Sequence, residues 1–205
     1  MAIDPSQERT KRYLRSYRDQ LDRFSAIEDY SQLPPAEEPS LSAALVADTE
    51  VKGLLRALRE TDVDMLELES EYATCREEME ELLRSPDVRR YAVAELEYLL
   101  ESFPAKVSHF LELEPLQMEV EQHLGWRDSI EALLTELDTT ESIDVHEQRI
   151  RLETLDEVLR VRYEEGIETI RSECPTVQRP YYPESFWWRH PSKVDEELDS
   201  SLNGA

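Results

Sequence analysis

A continuous heptad pattern of apolar residues runs through the chain between residues 51 and 82. Alternating steps of three and four residues separate its ten positions: Val51, Leu54, Leu58, Thr61, Met65, Leu68, Tyr72, Cys75, Met79 and Leu82. Such spacing places all ten on one face of a helix, which must be buried against another helix. We therefore predict a helix from about residue 41 to residue 84, roughly 65 Å long. Residues 61–64 are poor helix formers, but the heptad crosses them unbroken, so we predict continuity.

Helix-boundary residues predict further helices on both sides of this one. Asp4 and Pro5 are typical of a helix start, and Pro34-Pro35 marks the latest end of that first helix. Ser85-Pro86 marks a second boundary, where the long helix stops and the next begins. Amphipathic patterns then predict helices within 86–137 and over about 143–173. The first helix carries one apolar seam: Leu14, Tyr17, Leu21 and Phe24.

These elements predict an all-α fold. We expect an elongated antiparallel helical bundle, or coiled coil, around one long central helix, with an extended aromatic tail at the C-terminal end. The predicted divisions are a basic N-terminal helix (1–30), a Pro-rich linker (31–40), the bundle domain (41–173) and an aromatic, Pro-containing extension with a disordered acidic end (174–205). The seam is expected to be covered mainly within the chain, and packing against a second copy in a homodimer is the alternative.

The charge of the chain is strongly negative and its bases are mostly arginine. There are 47 acidic residues against 23 basic ones, of which only four are lysine, and the formal charge is −24. This composition resembles that of proteins from halophilic archaea, because at about 1 M salt the Debye length is only about 3 Å and self-repulsion is screened. An acidic protein from a GC-rich genome is the alternative. If the chain is haloadapted, its acidic surface does not exclude a nucleic acid partner.

Sequence signals for compartment and membrane association are few. Cys75 and Cys174 are isolated, without a CxxC motif or a disulfide framework, which favours a reducing cytoplasm. Residues 1–5 carry no apolar segment of a secretory signal, and no apolar run approaches the length of a membrane span. We predict a cytoplasmic protein without a membrane span.

No pattern of catalytic or metal-binding residues stands out. None of the four histidines has a glutamate three positions before it, and there is no HExxH motif. Phosphate-binding glycine loops and a GxSxG motif are also absent from the sequence. We predict no metal, no cofactor, no small-molecule substrate and no enzymatic activity.

Two segments are candidates for recognition. The first helix has a net charge of +2 over residues 1–24, and four of its bases are predicted to contact phosphates or an acidic partner: Lys11, Arg12, Arg15 and Arg18. Docking of this helix on the chain's own acidic helices is the alternative. The tail has six residues predicted to bind a protein partner: Tyr181, Tyr182, Phe186, Trp187, Trp188 and Arg189. Folding of the tail over one end of the bundle is the alternative, because an uncovered aromatic patch promotes aggregation.

The function that these features favour is that of a non-catalytic helical scaffold or adaptor mediating protein–protein interaction. The alternative is a nucleic-acid-associated protein that uses the basic first helix.

Overall fold

A computed structural model describes residues 5–61, 65–108, 117–139, 143–174 and 177–190. These residues form seven α-helices and no β-strand, so the predicted all-α class is confirmed. The helices are α1 (Pro5–Ser25), α2 (Leu41–Leu58), α3 (Leu66–Arg84), α4 (Pro86–Ser108), α5 (Gln117–Asp138), α6 (His146–Glu165) and α7 (Ile167–Glu173). Short 3₁₀-helices occupy Tyr30–Gln32 and Trp187–Arg189. The predicted cap Asp4 and the predicted disordered acidic end lie outside the described residues.

The prediction of one continuous helix over 41–84 is wrong. Helix α2 ends at Leu58, and residues 59–61 form a turn in which the Thr61 side chain and backbone N–H both donate to the Leu58 carbonyl oxygen. Arg59 pairs with Glu69 at 2.9 Å across this break, and further from it Arg76 lies 3.4 Å from Asp48. The two helices therefore run back along each other as an antiparallel αα-hairpin.

The heptad seam is nonetheless largely buried, divided between the two arms of this hairpin. Seven of its ten positions are buried, whereas Tyr72 and Leu82 are partly buried and Thr61 is exposed. Helix α1 explains how both arms are covered, because it packs on α2 and also contacts α3. At 21 residues α1 is roughly 32 Å long, about half the length of the predicted 65 Å helix. Because α3 folds back along α2, both helices can pack against α1.

The remaining helices complete a single core. Helix α2 also packs on α5, and α4 packs on α5 and α6. The predicted last helix is divided at Gly166 into α6 and α7, and Pro104 lies inside α4. One hydrophobic cluster joins the seam of α1, both hairpin arms and tail residues such as Tyr182 and Trp188. Among the described helices, none has both the length and the apolarity to cross a membrane.

Candidate functional site

The aromatic residues of the tail (residues 177–190) pack against the bundle of their own chain. Tyr182, Phe186 and Trp188 are each at most 3% exposed. Their rings follow one another, with centroids 5.1 Å apart between Tyr182 and Phe186 and 5.2 Å apart between Phe186 and Trp188. Tyr181 and Trp187 are partly buried. Three of the five aromatic residues predicted to bind a partner are therefore enclosed by the chain itself, and two retain exposed surface.

A buried ion cluster fixes the C-terminal part of the tail to α5. Arg189, the sixth predicted partner contact, is only 2% exposed. Its Nε and Nη2 donate to Asp128 at 3.1 and 2.5 Å, and its Nη1 donates to Glu121 at 2.8 Å. The indole Nε1 of Trp188 donates to the same Asp128 carboxylate at 2.7 Å. Burial opposes the charge of Arg189, but the two carboxylates outweigh it and raise its pKa, so this arginine remains charged.

A second cluster fixes the start of the tail to α2. Glu50 is buried, and its Oε1 accepts from Arg179 and from the hydroxyl of Tyr182, the latter at 2.8 Å. Burial raises the pKa of Glu50, and the neighbouring Arg179 and Tyr182 only partly offset this effect. The backbone N–H of Arg179 donates to the carbonyl oxygen of Arg189 at 3.0 Å, which links the two clusters.

A third arginine lies beneath the indole of Trp188. The guanidinium of Arg127 is 3.9 Å from the centroid of that ring, within the range of a cation–π contact. The same guanidinium donates from Nε and Nη2 to the two oxygens of Asp156 on α6, each at 2.8 Å. Tyr163 on α6 also donates to the Trp188 carbonyl oxygen at 2.8 Å. Trp188 is thus held between α5 and α6.

Gly53 is a residue that the sequence analysis did not select, and it decides how closely the tail approaches α2. A Cβ atom at this position would lie 2.3 Å from the backbone oxygen of Tyr181 and 3.0 Å from its carbonyl carbon. Side chains do not tolerate such distances, so the close approach of the tail backbone requires glycine here. A glycine within a strong helical pattern was the available signal in the sequence.

We expect Gly53→Ala to loosen the tail. Alanine favours a helix over glycine by about 1 kcal/mol, but overpacking against a backbone costs about 1–3 kcal/mol, so the variant should be no more stable than the parent and its tail should shift. Gly125→Ala is the matched control, because that glycine lies inside α5 and a Cβ there has nothing within 4 Å. This control should gain up to about 1 kcal/mol.

Tryptophan emission together with thermal melting measures this effect, because Trp187 and Trp188 are two of three indoles. A red shift is expected in Gly53→Ala and not in Gly125→Ala. Equal stabilisation of the two variants, with unchanged emission, would contradict the close approach.

The four basic residues predicted on α1 have different surroundings. Arg18 pairs with Glu78 of α3 at 2.6 Å, and the Lys11 amine lies 3.6 Å from Glu8. Arg12 and Arg15 are exposed, with the Arg12 guanidinium 5.6 Å from the ring centroid of Tyr13. One of the four therefore contacts an acidic helix of the chain, and two point away from the bundle.

A cleft of about 790 Å³ lies between α2, α3, α5 and the tail. Its lining includes buried apolar side chains such as Leu55 and Phe186. Arg76 lies 3.4 Å from Asp48 and 3.3 Å from Glu136 along one wall. Burial raises the pKa of Asp48, although Arg76 acts in the opposite direction. The lining thus combines apolar surface with convergent charges from segments that are distant in sequence.

The outer face of α6 carries an apolar stripe. Ile150, Val158 and Val161 are 50%, 49% and 55% exposed and share one side of the helix, whereas Leu152 and Tyr163 lie on the buried side. This stripe was not among the candidate sites predicted from the sequence. Its apolar residues at helical spacing were the available signal in the sequence.

Cys75 and the residue types that ligate metals bear on thiol and metal chemistry in the described ranges. Burial raises the pKa of Cys75 to about 11, so its thiol stays protonated at neutral pH. Within those ranges no group of three or more His, Cys, Asp or Glu residues is placed to hold a metal ion.

Comparison with known proteins adds no assignment. The chain matches no protein-family model, no curated protein and no solved structure.

Proposed function

We propose that this chain is a non-catalytic helical scaffold or adaptor that binds a protein partner through the outer face of α6. The observation that carries the proposal is the exposed apolar stripe of Ile150, Val158 and Val161. Three half-exposed aliphatic side chains on one helical face offer a surface for a second amphipathic helix. The tail contributes less to such a surface, because most of its aromatic area is already enclosed.

The charges beside the stripe favour a basic partner. Glu147, Glu153 and Glu157 are exposed on α6, and none of them forms an ion pair among the described residues. Arg151, by contrast, is engaged by Glu97 of α4 at 2.6 Å. Two copies of this face would bring like charges together, whereas a helix with lysine or arginine beside its apolar stripe would meet complementary charge. We therefore infer a basic amphipathic helix as the partner element.

Site-specific photo-crosslinking in the source cell tests this function. A benzophenone side chain placed at Ile150 should give an adduct with one protein, and the same group at exposed Arg90 on α4 should not. The captured protein should contain an amphipathic basic helix. Val158→Glu with Val161→Glu should abolish the adduct while changing stability by about 0.5 kcal/mol or less per site, because both positions are exposed.

The contrary outcomes are equally specific. Equal labelling from Arg90 and Ile150 would mean that the α6 face is not selective. An adduct between two copies of this chain would show that the α6 face self-associates, and it would contradict the proposed basic partner.

A further inference from the structure

The cleft between α2, α3, α5 and the tail has the dimensions of a small-molecule site. Its volume of about 790 Å³ falls within the range of roughly 300–1,000 Å³ that ligand pockets occupy. Tyr181, Pro183 and Phe186 of the tail form part of its lining, so docking of the tail completes the cleft. The ion clusters that hold the tail therefore also hold one wall of the cleft in place.

Each of the four carboxylates that line the cleft pairs with one of two arginines. Arg76 reaches Asp48, Glu80 and Glu136 at 3.4, 3.5 and 3.3 Å. Glu69 at the other end pairs with Arg59 at 2.9 Å.

Two cations of the lining remain without such a partner. Lys52 and Arg56 are exposed on α2, one turn apart, and neither forms an ion pair among the described residues. The partly buried rings of Tyr72 and Tyr181 lie in the same lining. The combination of a cationic edge with an apolar wall suits an amphipathic anion.

We propose that this cleft binds a small organic anion, a carboxylate or phosphate ester, whose charged group contacts Lys52 and Arg56 and whose apolar body lies against Tyr72 and Tyr181. This site is separate from the α6 face, so each proposal can fail without the other. No local motif encodes it, because its lining comes from four segments spread over residues 45–186.

Binding of three aromatic probes to the full-length chain tests the proposal. Benzoate, phenyl phosphate and benzylamine have similar bodies and different charges, and calorimetry or ligand-observed NMR at one ionic strength measures their affinities. The two anions are expected to bind and benzylamine is not. Tighter binding of phenyl phosphate assigns a phosphate ester as the ligand class, and tighter binding of benzoate assigns a carboxylate.

Two double variants distinguish anion binding in the cleft from non-specific attraction of anions to positive charge on the protein. Lys52→Ala with Arg56→Ala should weaken anion binding roughly tenfold or more, since two charged contacts are lost. Arg84→Ala with Arg90→Ala removes the same charge from exposed positions on α3 and α4 and should leave the affinity within about twofold. The proposal is overturned if neither anion binds, if benzylamine binds equally well, or if both double variants weaken binding to the same extent.

Discussion

Replacing Asp128 by alanine is expected to cost about 3–5 kcal/mol in the free energy of unfolding. The carboxylate of Asp128 accepts hydrogen bonds from Arg189 and from the indole of Trp188, and all three groups are buried. Without it, the Arg189 guanidinium keeps only Glu121 as its described carboxylate partner. A buried charge that has lost its main partner carries a desolvation penalty with little compensation, and the tail should detach from α5.

Two further variants make this measurement specific. Asp138→Ala removes an exposed carboxylate that pairs with Arg149 at 2.8 Å, and it should cost less than about 1 kcal/mol. Asp128→Leu combined with Arg189→Met removes both buried charges and should be more stable than Asp128→Ala alone, because no unpaired charge remains. Denaturant unfolding with tryptophan emission gives all three values. Similar losses for Asp128→Ala and Asp138→Ala would show that this cluster does not hold the tail.

Folding is expected to depend strongly on salt. The chain carries a charge of −24, and α3 alone has seven glutamates, among them exposed Glu67, Glu77 and Glu81. The Debye length falls from about 30 Å at 0.01 M to about 3 Å at 1 M salt, so mutual repulsion of these carboxylates is screened over that range. The thermal midpoint measured by circular dichroism should therefore rise steeply with KCl concentration, and the chain should be partly unfolded in dilute buffer.

A non-ionic cosolvent distinguishes charge screening from a general stabilisation of the folded state as the cause of the salt dependence. Sucrose strengthens burial without screening charge, so it should stabilise less than KCl at low ionic strength. A variant with Glu67→Gln, Glu77→Gln and Glu81→Gln should depend less on salt, because it carries three fewer repelling charges on one helix. An identical midpoint at low and high KCl would contradict haloadaptation.

Several local elements follow from the sequence because their causes are local. The start of α4 at Pro86 is set by a proline whose ring fits the first turn of a helix. The seam of α1 is buried as its spacing predicts, from Leu14 to Phe24. The break between α2 and α3 had a local signal in the poor helix formers of residues 61–64, but the unbroken heptad pointed the other way. A heptad continues with the same phase whether its two halves form one helix or the two arms of a hairpin, so this pattern alone does not distinguish the two.

The candidate sites depend on contacts over long sequence separations. The tail was recognisable as a group of aromatic residues that must be covered, but the choice between its own bundle and a partner was not. That choice rests on Glu50 and Asp128, two of 47 acidic residues, which lie 129 and 61 positions from the arginines that they bind. Composition treats all acidic residues alike, so it does not identify the buried ones.

The sequence by itself thus determined the all-α class, the apolar faces of most helices and the high negative charge, since periodicity and composition are properties of neighbouring residues. Only the tertiary structure showed that α3 folds back along α2 and that the tail backbone packs closely against Gly53. It also brought together the residues of the cleft beside Lys52 and Arg56. Each of these features is formed by contacts between segments that are distant in sequence. The outcome is set by packing and charge pairing that no local pattern contains.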